Sequence, residues 1–183
     1  MSDPHRPRRV PKPLDSARLE ELGLAYVARF ATSAAKLEQY LRRKLRERGW
    51  DGEGEAPVAA MVERYVTAGY VDDLAYARAK SGSLLRRGYG ERRIGQALHA
   101  AGIGEEVRGE VRVSDGAQRA AALAMARKRG FGPFGRALPD RPQAEKQIAA
   151  LLRAGHRLDS ARELVNAETV EAAEAWAALD GED

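Results

Sequence analysis

The chain is 183 residues long, with 44% hydrophobic but only 6% aromatic residues, so alanine, leucine and valine must supply most of any core. It has no cysteine, which excludes a disulfide framework and thiolate zinc sites. Its net charge of +4 is unevenly spread, at +6 over residues 1–50, −2 over 51–115, +7 over 116–157 and −7 over 158–183. That pattern points to a polyanionic partner, with the acidic end as an electrostatic competitor.

Residues 1–14 (MSDPHRPRRVPKPL) are rich in proline and cations and read as a disordered basic arm. This arm has no apolar core of a signal peptide, and no apolar run in the chain approaches the ~18 residues that span a bilayer, so a cytoplasmic protein is expected. Asp15–Ser16 caps a first helix over about 17–31, on which Leu19, Leu22, Tyr26 and Phe30 share one face. Thr32–Ser33 caps a second, carrying Leu37, Leu41 and Leu45 to its end at Gly49. A third runs from Pro57 to Ala68 and stops at Gly69, closing a three-helix repeat over 15–70.

A second repeat, 71–114, opens at Asp72–Asp73, runs to Arg87, turns through Gly88-Tyr89-Gly90, and continues with helices at 91–101 and about 104–112. A third, 115–167, has a helix to Arg129, a Gly130-Phe131-Gly132 turn, a proline-containing loop, and helices at 142–154 and 158–165. Residues 168–183 form an acidic helix and tail, with Val170, Ala173, Trp176 and Ala177 available to pack. Strand signals are nearly absent. Gly49, Gly102 and Gly155 lie 53 residues apart, each preceded at the same offset by Leu45, Leu98 or Leu151. The fold class is therefore all-α, with tandem three-helix repeats expected to stack into an elongated curved array. Such an array offers a long surface rather than a pocket, which favours binding over catalysis.

Chemistry-bearing motifs agree. His5, His99 and His156 lack metal-ligand spacing, and Asp72–Asp73 is explained by helix capping without a nuclease metal. Arg87-Gly88-Tyr89-Gly90 resembles the start of an RNA-recognition strand, but Glu91-Arg92-Arg93 follows where apolar residues are needed. No Walker lysine follows either glycine turn. No catalytic residue, metal, cofactor or small-molecule substrate is therefore assigned. What stands out is arginine: Arg42, Arg43 and Arg46 on the second helix, Arg86, Arg87, Arg92 and Arg93 around Gly-Tyr-Gly, and Arg127, Lys128 and Arg129 before Gly-Phe-Gly. One cation at a helix C-terminus is explained by the helix dipole; two or three together suggest an anionic surface. These ten are the candidate contacts, chosen by charge and expected exposure.

The stretch Gly69-Tyr70-Val71-Asp72-Asp73, Tyr76-Ala77, Arg87-Gly88-Tyr89-Gly90, Arg93-Ile94, Leu98 and Gly102-Ile103 resembles the signature of the RecX family of regulatory proteins. Phe30-Ala31-Thr32-Ser33 through Leu41-Arg42-Arg43-Lys44-Leu45 and Gly49 is similar to the family's opening repeat. The third repeat departs from it in its long loop and its Gly155-His156 turn. The resemblance covers about residues 19–165. It implies a non-enzymatic protein that binds the RecA recombinase and its filament on single-stranded DNA. It also implies suppression of strand exchange, ATP hydrolysis and co-protease activity, and so modulation of DNA repair and the SOS response. A helix-turn-helix transcriptional regulator is the alternative; Gln39, Gln96 and Gln147 are isolated candidates for reading base edges. A structural helical-repeat adaptor with no DNA link is a third reading.

Overall fold

The computed structural model describes residues 12–179, which divide into two compact units, one up to Asp72 and one from Asp73 onward. Among the described residues all regular structure is helical apart from one isolated bridge between Leu14 and Trp50.

The first unit holds α1 (Ser16–Val27), α2 (Ala34–Arg48) and α3 (Val58–Thr67). Asp15 caps α1 by accepting from the Arg18 N–H at 2.8 Å, and Ser33 caps α2 through the Lys36 N–H at 3.3 Å. Leu19, Leu37, Leu41, Val58, Met61 and Tyr65 close the core. Two expectations change here. Helix α1 ends at Val27 rather than 31, because residues 28–33 turn the chain into the Ser33 cap; Phe30 leaves the packed face and stands 55% exposed. Leu14, expected within a free basic arm, is instead held by the first unit. Residues 1–11 lie outside the described residues, but Leu14 is fully buried in the core. It donates to the Gly49 carbonyl at 3.0 Å and accepts from the Asp51 N–H at 2.9 Å.

The second unit runs α4 (Asp73–Arg86), α5 (Glu91–Ala100), α6 (Glu105–Glu110), α7 (Asp115–Arg129), α8 (Arg141–Arg153), α9 (Leu158–Asn166) and α10 (Val170–Ala177). Ala77, Leu84, Ile94, Leu98, Ala101 and Ile103 form the core of α4–α6. Two further clusters hold α7–α10, one around Met125, Leu151, Ala161 and Val165, the other around Ala122, Ala126, Leu164 and Ala173. Tyr89 packs on the first of these and on the α4–α6 core, so the Gly-Tyr-Gly turn joins the two halves. Ser114, Asp140 and Thr169 cap α7, α8 and α10 through side-chain oxygens.

Five helices end alike. The residues after Gly69, Gly88, Gly102, Gly130 and Gly155 each return an N–H to the carbonyl five positions back, at 2.9–3.1 Å. This closure needs a left-handed residue, which glycine adopts without a Cβ clash. The terminus at Gly49 differs. Its N–H bonds to Leu45, but the backbone then extends (φ 85°, ψ 167°) and turns its carbonyl to Leu14. The 53-residue spacing therefore marks three helix ends of which two share a hydrogen-bond pattern.

Candidate anionic-partner interface

All ten candidate cations are exposed, but the structure sorts them by what they already touch. On α2, Arg42 pairs with Glu38 at 2.8 Å, one turn back. Arg43 lies 3.6 Å from Glu47, which Lys44 also holds at 2.6 Å. The Lys44 ammonium, hydrogen-bonded to Glu47, keeps that carboxyl below its ordinary range. Tyr40 lies beneath both cations, with Arg43 5.6 Å and Lys44 5.9 Å from its ring centre. Arg46 has no carboxylate within ion-pair distance among the described residues.

Around Gly88-Tyr89-Gly90 the geometry comes from two helix ends meeting. The N–H groups at the start of α5 face the carbonyls at the end of α8: Gly90 donates to Ala154 at 3.0 Å and Arg92 to Gly155 at 3.2 Å. Each terminus supplies the partners the other lacks, and the positive end of one helix dipole meets the negative end of the next. The approach is close enough that a Cβ on Gly90 would collide with the Gly155 carbonyl group, and one on Gly155 with the Arg93 backbone. His156, buried beside it, donates from Nε2 to the Gly88 carbonyl at 2.9 Å. Burial holds its pKa below the usual histidine value, and the Gly88 bond opposes that only in part. Arg92 therefore has a task within the chain, since its guanidinium donates to the Leu152 carbonyl at 2.6 Å. Arg87 lies 5.3 Å from the centre of the Tyr89 ring. Arg86 and Arg93 project outward with no ion pair among the described residues.

The third cluster closes α7. Arg127 pairs with Glu174 of α10 and stands over the Phe134 ring at 5.7 Å. Lys128 and Arg129 are unpaired among the described residues. Helix α10 is more than a charged appendage: Ala173 is buried and Trp176 packs against the Ala122, Ala126 and Leu164 cluster. Nearby, the Gln147 carboxamide accepts from the Gly132 N–H at 2.8 Å, which engages a residue considered for base reading.

One feature of the first unit escaped the sequence reading. Tyr26, Lys36, Gln39, Tyr40, Arg43 and Arg46 line a depression of about 300 Å³ between α1 and α2. Lys36, Tyr40 and Arg43 recur at helical spacing, a signal available in the sequence; the contribution of Tyr26 from α1 depends on packing. Among the described residues no group of three or more His, Asp or Glu is placed to hold a metal ion, and no helix is long and apolar enough to cross a membrane.

Comparison with known proteins agrees with this architecture. A family model described as the second three-helix domain of RecX matches residues 72–111, the stretch that spans α4 to α6. The chain is 33% identical over 173 residues to the regulatory protein RecX of Myxococcus xanthus, covering 89% of this chain and 90% of that one. It is 32% identical over 141 residues to the regulatory protein RecX of Agrobacterium fabrum, covering 75% and 76%. Among solved structures, the crystal structure of RecX from Lactobacillus salivarius superposes with a TM-score of 0.63 at 17% identity, over 80% of this chain and 91% of that one.

Proposed function

Because the chain belongs to the RecX family, we propose that it binds the RecA recombinase and its filament on single-stranded DNA. In doing so it lowers the recombinase, ATPase and co-protease activities without turning over a substrate of its own. It acts as a regulator of DNA repair and the SOS response in the cytoplasm. The observation that carries the reading is the surplus of exposed cations with no ion pair among the described residues: Arg46, Arg86, Arg93, Lys128 and Arg129. A helix dipole favours one cation near each C-terminus by about 0.3–1 kcal/mol. It does not account for consecutive cations left unpaired, whereas an acidic protein face or a phosphate backbone does. Several weak contacts made to neighbouring protomers of one filament sum to high avidity.

The test is a titration of the purified chain into a RecA–single-stranded DNA ATPase reaction. Wild type lowers turnover in a dose-dependent way, and Arg86→Glu/Arg87→Glu shifts the inhibition curve to higher concentration while the circular dichroism spectrum is unchanged. Undiminished ATPase at saturating protein defeats the function. Equal inhibition by the double variant defeats the contact assignment. DNA binding is expected to be nonspecific and to weaken steeply with salt. A footprint at one operator that survives competitor DNA returns the preference to a helix-turn-helix regulator.

A further inference from the structure

The depression between α1 and α2 combines two chemistries that seldom meet by accident. Its cations, Lys36, Arg43 and Arg46, are joined by no carboxylate among the lining residues. Its floor is aromatic: Tyr26 and Tyr40 stack at 4.2 Å between ring centres and 17° between planes. Phe30 continues that surface, tilted against Tyr26 at 5.3 Å, and remains 55% exposed. Gln39 adds an amide that both donates and accepts. Lys36 and Arg46 have no ion pair among the described residues, and Arg43 is only loosely held by Glu47 at 3.6 Å.

We propose that this depression is a subsite for single-stranded nucleic acid, with phosphates on Lys36, Arg43 and Arg46 and a base against the Phe30–Tyr26 surface. An acidic peptide would use the cations but leave the rings idle. A duplex would offer phosphates but keep its base faces stacked. Only an unpaired strand presents both groups. From Lys36 to Arg46 the α2 axis rises roughly 15 Å at 1.5 Å per residue. That is the reach of about four stacked nucleotides at roughly 3.4 Å each. The proposal rests on the reading above in taking nucleic acid as one of the partners, and goes beyond it in assigning direct strand contact to this face of the first unit.

The experiment measures fluorescence anisotropy of a labelled oligo(dT) of about 15 nucleotides with the full chain and no recombinase, across a sodium chloride series. An abasic strand of equal length and poly-L-glutamate serve as competitors. Lys36→Ala/Arg46→Ala is expected to weaken binding and to flatten the slope of log affinity against log salt by about 1.4, at ~0.7 per phosphate. Phe30→Ala is expected to weaken oligo(dT) binding at least ~5-fold with the slope unchanged, because stacking is lost and charge is not. Binding of the abasic strand should be indifferent to Phe30→Ala. These side chains are exposed, so the variants are checked against wild type by their unfolding curves.

Wild-type affinity and slope in the double variant overturn the site. An abasic strand bound as tightly as oligo(dT) overturns the stacking assignment. Poly-L-glutamate displacing oligo(dT) as efficiently as the abasic strand does, through the same three cations, reassigns the depression to an acidic protein. Parallel ATPase titrations keep the two readings apart. Wild type that binds oligo(dT) as described but leaves RecA turnover untouched refutes the inhibitor, not the subsite.

Discussion

The junction between α5 and α8 makes a strong quantitative demand on the fold, and Gly155→Ala tests it. Gly155 has φ 96°, where an L side chain costs about 1–2 kcal/mol. Its new methyl would overlap the Arg93 backbone and come within 2.7 Å of the Arg93 Cβ and 3.0 Å of the Gly90 carbonyl oxygen. Moving α5 away to relieve this breaks the Gly90–Ala154 and Arg92–Gly155 hydrogen bonds, at about 0.5–1.5 kcal/mol each, and overpacking adds about 1–3 kcal/mol. The expected loss is therefore roughly 3–8 kcal/mol, against a typical total stability of ~5–15 kcal/mol. Two other glycines calibrate it. Gly69→Ala carries only the left-handed cost of about 1–2 kcal/mol, since φ is 75° and nothing lies within 4 Å of the added methyl. Gly95→Ala, inside α5 with open space around it, should stabilise by roughly 0.5–1 kcal/mol. The two tryptophans, Trp50 and Trp176, fall in different units. Urea unfolding followed by fluorescence in a Trp50→Phe background therefore reads the second unit, and the reverse background reads the first. If Gly155→Ala costs no more than Gly69→Ala, the two helix ends are not wedged together in solution and the reasoning fails.

Three further outcomes are expected. Leu14→Ala should destabilise the first unit by about 2–5 kcal/mol, read through Trp50, because the side chain is fully buried in its core. A free arm through residue 14 would leave the midpoint unchanged. The His156 pKa is depressed in the fold, so its contribution is complete above about pH 6.5 and is lost as pH falls through the lower folded value. Second-unit stability should therefore drop on mild acidification, and His156→Gln should flatten that dependence; equal pH profiles would show that His156 does not titrate there. Tyr65 behaves in the opposite sense. Burial first, then its bond to Glu20, pushes its hydroxyl up to about 12, so the first unit keeps this contribution below about pH 10 and loses it as pH rises through 12. A Trp50 unfolding midpoint that stays level across that window would refute it.

The helix inventory was legible because each signal is local. A capping side chain three residues before the N–H it accepts, and a glycine one position past the last turn, lie within a few residues of what they determine. Asp15, Ser33 and Asp140 cap α1, α2 and α8 in this way. What was not legible depends on residues far apart. Leu14 reads as part of a proline-rich arm until its partners, Gly49 and Asp51, are brought alongside. Arg92 reads as one more exposed cation until the Leu152 carbonyl, 60 positions away, arrives beneath it. The short 3₁₀ turn over Gly132–Phe134 is held by Gln147 from α8, and nothing in Gly-Pro-Phe announces that. Charge and spacing nominate the ten cations as candidates. They do not separate Arg42, Arg92 and Arg127, which hold partners within the chain, from Arg46, Arg86, Arg93, Lys128 and Arg129, which form no ion pair among the described residues.

The acidic end shows why that separation matters for experiment. Its composition invites the idea of a shield over the basic surface, to be tested by truncation before Glu168. The structure makes that truncation ambiguous, because removing α10 takes Ala173 and Trp176 from a core they share with Ala122, Ala126 and Leu164. A gain in DNA binding by the shortened chain could then come from partial unfolding of the second unit. Glu174→Gln separates the effects. It removes the charge facing Arg127 and leaves the packed side of α10 intact. The pair is about half exposed, so its stability contribution is at most ~1 kcal/mol and the Trp176 unfolding midpoint should barely move. If α10 shields, oligonucleotide affinity rises in low salt and the gain disappears as salt screens it. If affinity is unchanged while Arg127→Gln is equally silent, then Arg127 belongs to the fold, and the contacts of the third cluster rest on Lys128 and Arg129.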